Sequence, residues 1–262
     1  ELSPVPFEER DKHGLFLVSP LNGHNKLVLS VNEILKQLPD RDFLDAEDRK
    51  LRERLGGNEG LTMMIYCVRY SRDGRRMMFH VGNHCVDQRR GEPRILYIFT
   101  ANSDLTDVRM ALNFSHGNRG VHWSWEPDGE HLIGYGPRPD DPKKICLAEV
   151  KYDGTGYRML SPHNSGGHPS MCPATTRLIV TDEWDDEVGR VVLIDSETGE
   201  AIKKIPLPKY NYEIGKIPAG RNRFRICHHP VFSDDGRQIL ANCMDGKFST
   251  LTKLTVSGDL PE

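Results

Sequence analysis

The six cysteines, at 67, 85, 146, 172, 227 and 243, form no C-x-x-C pair and follow no regular spacing. With 262 residues the chain is long enough to bury a core without covalent staples, so a disulfide framework is not expected and a reducing compartment, the cytoplasm, is. No run of 18 apolar residues occurs, which leaves no candidate for a membrane-spanning helix. The first residue is Glu1, neither a start methionine nor the opening of a basic, apolar leader, and the true amino terminus is expected upstream. Net charge is -3, so composition points to neither a nucleic-acid surface nor an anionic membrane; only a local basic groove would be compatible with either. Walker loop, GxSxG elbow and dinucleotide fingerprint are all missing.

What the chain does have is a repeat. Copies start at Cys67 (C-V-R-Y-S-R-D-G-R-R-M-M-F), His122 (H-W-S-W-E-P-D-G-E-H-L-I-G), His168 (H-P-S-M-C-P-A-T-T-R-L-I-V) and His229 (H-P-V-F-S-D-D-G-R-Q-I-L-A), at intervals of 55, 46 and 61 residues. Three positions on stands a bulky residue, Tyr70, Trp125, Met171 or Phe232, which reads as core. Asp-Gly follows in three copies (Asp73-Gly74, Asp128-Gly129, Asp235-Gly236), and then an apolar run. Asp-Gly tolerates the positive φ of a tight hairpin, so each copy reads as strand, turn, strand. Hairpins recurring at this period are the signature of β-propeller blades. Equivalent residues of successive blades point at one axis, which brings His122, His168 and His229 together.

Third strands are predicted at 95–100, 144–150, 190–194 and 250–255, and fourth strands at 157–160 and 201–205, after turns such as Asp153-Gly154-Thr155-Gly156. Residues 14–31 read as two strands about Leu21-Asn22-Gly23, the outer half of a blade. Ser30 with Glu33 forms a capping box for a helix over 31–38, stopped by Pro39, and a second helix is predicted over 45–55, closed by Gly56-Gly57. The chain is thus read as one all-β domain over 1–262, a propeller of about four to five blades with a short helical insertion at 31–57. Two closures remain: a five-bladed ring completed by the terminal half-blades, or the later blades of a larger ring. The second fits better, because the amino-terminal piece supplies two outer strands where the last blade lacks one.

A histidine early in a first strand is either a filler bonded to the channel wall or a group facing a solvent-filled pocket. Three in one register favour the second reading, since packing does not call for imidazole at equal depth in separate blades. Convergent imidazoles bind divalent transition metals, and one more serves as a base near pH 7. In the fourth copy Cys227 and His228 precede His229; adjacent His228 and His229 point to opposite faces unless the strand bulges. Arg223 and Arg225 share a face with Arg221, where guanidinium forks grip carboxylates or simply meet solvent, and Arg119 is a similar candidate. Trp123 either stacks on a sugar ring or packs between blades. His80 and His84, near Cys85, have a metal-like spacing but follow a second strand at the rim. Asp182, Glu183, Asp185, Asp186 and Glu187, around Trp184, read as a solvated acidic turn.

Residues 121–129 read V-H-W-S-W-E-P-D-G, Gly167-His168 forms a G-H pair, and residues 229–235 read H-P-V-F-S-D-D. In these stretches the chain resembles the oligogalacturonate lyases, seven-bladed propellers related to the TolB propeller, whose counterparts are T-H-x-F-W before a Pro-Asn/Asp-Gly turn, S-H or G-H, and H-P-S-F-x-x-D. The resemblance runs from about Leu15 to the end and covers the later blades, which makes the chain the carboxyl-terminal part of a seven-bladed ring. It implies a manganese ion held by three histidines and a glutamine, with a further histidine as base. His168 and His229 match two ligands and His122 matches the base, but Cys227 stands at the third histidine position and Phe224 at the glutamine. A Cys227 thiolate would favour zinc over manganese, His228 would replace it through a bulge, or the metal is lost.

The implied reaction is metal-assisted β-elimination on a polyuronate, with an acidic oligosaccharide as partner, His122 as base, and Arg119, Trp123, Arg223 and Arg225 holding substrate. The competing class is a noncatalytic propeller that binds a glycan or a protein on the same face.

Overall fold

The computed structural model describes residues 9–57, 60–83, 91–115, 117–184, 189–207, 227–245 and 248–255. The chain divides into two compact units, one of Glu1–Asn118 with Tyr152–Gly154 and one of Arg119–Lys151 with Thr155–Glu262. Strand content of 45% against 10% helix sets the class as all-β. No described helix is long and apolar enough to cross a membrane.

In the first unit β1 (Gly14–Val18) pairs antiparallel with β2 (Asn25–Ser30), and α1 (Val31–Leu35) and α2 (Arg41–Leu55) follow. The capping box forms as read: Ser30 Oγ accepts from Glu33 N, and Glu33 accepts from Ser30 N. Gly56 closes α2 in the left-handed region at φ 87°, where a side chain would be strained. The second helix starts four residues before its predicted first turn. Leu44, Asp48 and Leu51 recur on one buried face, and Arg41 pairs with Asp45 one turn on, so packing carries the helix back to the residue after Asp40. A four-stranded antiparallel sheet completes the unit: β3 (Met64–Tyr70), β4 (Arg76–Gly82), β5 (Leu96–Asn102) and β6 (Arg109–Asn113), in that order. Phe79, Tyr97 and Phe99 pack from it onto Leu29, Ile34 and Leu44.

The second unit holds three successive blades. β7 (Val121–Trp125), β8 (His131–Pro137), β9 (Ile145–Lys151) and β10 (Arg158–Ser161) make the first, and β11 (Ser170–Met171), β12 (Leu178–Trp184), β13 (Gly189–Asp195) and β14 (Ala201–Pro206) the second. Among the described residues the third has three strands, β15 (Val231–Phe232), β16 (Gln238–Asp245) and β17 (Phe248–Thr255). One apolar cluster joins Ile133, Tyr135 and Leu147 of the first blade to Ile179, Val192 and Ile194 of the second. A second cluster joins Val180, Val191 and Leu193 to Phe232, Ile239 and Ala241. Face-to-face packing of consecutive antiparallel sheets, two of four strands and one of three, is the propeller arrangement.

The start of the repeat unit is irregular. Pairing slips between Tyr66 and Arg69 and between Val121 and Ser124, and Cys67 (φ 51°), His122 (φ 57°) and His229 (φ 43°) adopt left-handed backbone. Such a bulge re-aims the side chains after it. Hence Trp123, not Trp125, enters the core: it has no exposed surface, and its Nε1 donates to Tyr135 O at 3.0 Å. Gly134 and Gly136 on β8 make room for the indole, since a Cβ on Gly134 would collide with the ring. Trp123 is therefore corrected from a substrate-stacking residue to a core one, while Trp125 is half-buried. Met171 and Phe232 are buried as expected of the bulky position, but Tyr70 is 54% exposed.

Candidate metal centre

His122, His168 and His229 do come together. Their rings stack in a row, with centroids 4.0 Å apart for His122 and His168 and 3.6 Å for His168 and His229. Donor atoms of His168, Cys227 and His229 all lie within 4.8 Å of one another. Two metal bonds, about 2.1 Å to nitrogen and about 2.3 Å to sulfur, span at most about 4.4 Å. The three donors are therefore grouped near that limit, with the His168 and His229 rings stacked on each other.

Beneath this row lies Asp182, fully buried on β12. It accepts from His168 Nδ1 on both oxygens at 3.1 Å, from His168 N at 2.6 Å and from His229 N at 3.2 Å. Burial alone would raise this carboxyl, but the bonds from the His168 ring and backbone and from the His229 backbone hold it below the usual carboxylate value. Because Asp182 only accepts, His168 carries its proton on Nδ1 and presents the lone pair of Nε2. Carboxylate, imidazole and open nitrogen in this order form the support of a metal-binding histidine. Asp182 and Glu183 are thus strand residues, which corrects their reading as a solvated turn: Asp182 pairs in register with Val191 and Glu183 with Arg190.

His122 is held differently. Its Nδ1 lies 2.9 Å from both Gly166 O and Gly167 O, two acceptors, so the proton sits there and Nε2 carries a lone pair. Burial of the ring, and then the neighbouring His168, pull its pKa below the ordinary histidine value, which favours the neutral base form at pH 7. Arg119, three residues earlier, is exposed and makes no ion pair with a described residue.

His228 does not join the set. It is 4% exposed, its Nδ1 donates to Asn242 O at 2.7 Å, its ring stacks on Trp184, and Nε2 fills the space that a Cβ on Gly189 would need. The alternative in which His228 takes the place of Cys227 is corrected: this imidazole packs inside the blade while the left-handed turn at His229 re-aims the next one. Arg223, Arg225 and Phe224 lie outside the described residues, as do His84 and Cys85. His80 is buried edge-on to Tyr66.

A second chain of polar groups adjoins the cluster without having shown itself in the sequence. Tyr135 OH meets His163 Nδ1 at 2.8 Å, His163 Nε2 meets Glu183 at 3.0 Å, and Lys204 donates to Glu183 at 2.9 Å. Ser165 Oγ links Tyr135 to Asp182 O. Burial pushes the Tyr135 phenol up to about 12, so it is neutral and donates. His163 falls outside the repeat register, and only its nearness to the G-H pair hinted at it.

No family model matches the chain, and no curated protein does. Among solved structures, an oligogalacturonate lyase in complex with manganese is 14% identical over 94% of this chain, with a TM-score of 0.53. The oligogalacturonate lyase of Vibrio parahaemolyticus is 17% identical over 74% of it, with a TM-score of 0.51. TolB from Acinetobacter baumannii aligns over 75% of it at 15% identity, with a TM-score of 0.49. The chain spans 60%, 49% and 41% of those three structures. At such identity the likeness is one of fold: the chain has the β-propeller architecture of the oligogalacturonate lyases, at a distance.

Proposed function

We propose that this chain carries the active face of a uronate lyase that cleaves acidic oligosaccharides by metal-assisted β-elimination. The observation behind the reading is the row of three imidazoles, of which His168 is held through Nδ1 by Asp182 and His122 is held through Nδ1 by Gly166 O, leaving Nε2 of each as the atom with a lone pair. His168, His229 and Cys227 would hold the ion, and two imidazoles with a thiolate suit zinc better than the manganese of the structural neighbour. A divalent ion held there would supply positive charge to steady a substrate carboxylate as its α carbon loses a proton.

His122 Nε2 takes that proton, and the C–H electron pair becomes the new carbon–carbon double bond. The glycosidic oxygen on the β carbon departs with its bonding pair and is protonated by water. Gly166 O and Gly167 O keep the His122 ring aimed while it accepts, and they stabilise the imidazolium formed. Arg119, exposed three residues before His122, would receive a second carboxylate of the polymer. Thiols at Cys67, Cys146, Cys172, Cys227 and Cys243, none in a disulfide, suit a reducing compartment such as the cytoplasm.

The test is incubation of the full-length protein with polyuronates while ultraviolet absorbance of the unsaturated product is followed. His122→Ala is expected to abolish turnover with little change in melting temperature. Loss of stability with retained turnover would remove His122 from the mechanism. No turnover by the wild-type protein on any polyuronate would leave a propeller that binds a glycan or a protein through this face.

A further inference from the structure

At the opposite end of β7 from His122 the repeat is broken chemically. In the hairpins of two other copies the fifth residue is serine, and its hydroxyl donates to the turn aspartate: Ser71 to Asp73 at 2.7 Å and Ser233 to Asp235 at 2.6 Å. The equivalent residue between β7 and β8 is Glu126, so a carboxylate faces Asp128 where a hydroxyl should. Glu126 is only 6% exposed, and its Oε1 is buried with no hydrogen-bond partner. Nearby Glu149, 9% exposed, spends its own charge on Arg158. An ionised carboxylate buried beside a second one is costly. Burial, and then Glu149, push the Glu126 carboxyl up to about 8.

Beside it, Asp128 accepts from the backbone of Glu130 and His131, and its other oxygen meets His131 Nδ1 at 2.6 Å. One donor atom from each of Glu126, Asp128 and His131 lies within 4.8 Å of the other two. We propose that Glu126, Asp128 and His131 form a second divalent-cation site, at the β7–β8 turn. Two carboxylate oxygens and one imidazole nitrogen suit zinc or manganese rather than a cation that takes oxygen alone. Glu126 lies four positions after His122, about 13 Å along a strand at about 3.3 Å per residue, so the two sites cannot share an ion. Asp128 is the donor common to every Asp-Gly turn of the repeat; Glu126 and His131 turn this one copy into a ligand set.

The experiment is a zinc titration of the full chain against a competing chelator dye. His229→Ala removes the histidine-cluster site, and this variant is expected to keep one zinc per chain. Adding Glu126→Ser, which restores the serine of the other hairpins, is expected to abolish that zinc, and His131→Gln to weaken it tenfold or more. His131 is partly exposed, so its variant carries the test should Glu126→Ser fail to fold. No zinc bound by His229→Ala, or equal binding in both further variants, overturns the proposal. A Glu126→Ser chain that melts higher and binds zinc unchanged would show that Glu126 merely shares a proton with Glu149, which overturns it as well.

Discussion

A carboxylate without exposed surface needs a donor for each oxygen, and Asp182 draws its donors from His168 and His229. Asp182→Asn keeps the shape but turns one acceptor into an amide that confronts a donor. Zinc affinity at the histidine cluster is expected to fall about 10- to 100-fold, as for other partners that orient metal ligands. Competition titration reads this, and unchanged affinity would reduce Asp182 to packing. Trp123→Ala is expected to cost about 3–5 kcal/mol in urea unfolding, the scale for a buried tryptophan, where a surface stacking platform would cost under about 0.5 kcal/mol. Register alone made the convergence of His122, His168 and His229 legible. Asp182 escaped because Asp and Glu are depleted in strands, so L-I-V-T-D-E-W reads as a strand that stops too soon. The exchange between Trp123 and Trp125 was hidden for another reason: a bulge leaves no mark in an apolar pattern until one residue is known to be left-handed.

Within one blade, a single side chain ties the β12–β13 hairpin to the turn that follows. Asp195 accepts from Arg177 Nη2 at 2.8 Å and from Glu197 N at 2.9 Å. The Arg177 bond outweighs burial and holds the carboxyl below its ordinary value. A depressed folded value means the contribution is complete above the unfolded value of about 3.9 and fades as pH falls through the folded one. Asp195→Asn should therefore destabilise by about 1–3 kcal/mol at pH 7 and by much less at pH 3. Urea midpoints at the two pH values check the sign; an equal gap at both would mean that shape, not charge, is what Asp195 provides. Hairpins built on Asp-Gly and the Ser30–Glu33 cap were readable because the backbone demands those residue types at fixed offsets. The strand Arg109–Asn113 was not, for its R-M-A-L-N has neither a flanking Gly turn nor alternation.

For the chain as a whole, an ion bound only by the folded state stabilises it through mass action, by about 2.7 kcal/mol at a free concentration of a hundred times Kd. Zinc at that level should raise the melting temperature by about 5–10 °C, at about 2–4 °C for each kcal/mol in a chain of this size, and a chelator should return it. A melting curve indifferent to zinc and chelator would mean that neither proposed site holds an ion. The left-handed first residue of the repeat has one more consequence. Cys67 shares that backbone with His122 and His229 while His168 does not, so the kink recurs in three of the four copies whether or not an imidazole stands there. Each such non-glycine residue costs roughly 1–2 kcal/mol, and glycine recovers part of that after its own loss of chain freedom. Glycine at position 67 should make a sturdier protein with its chemistry intact; at 122 or 229 the same change would yield a sturdier protein with none. Under the proposed lyase function, selection for durability and selection for activity pull in opposite directions at two of these three corners, and only at Cys67 is an engineer at liberty to satisfy both.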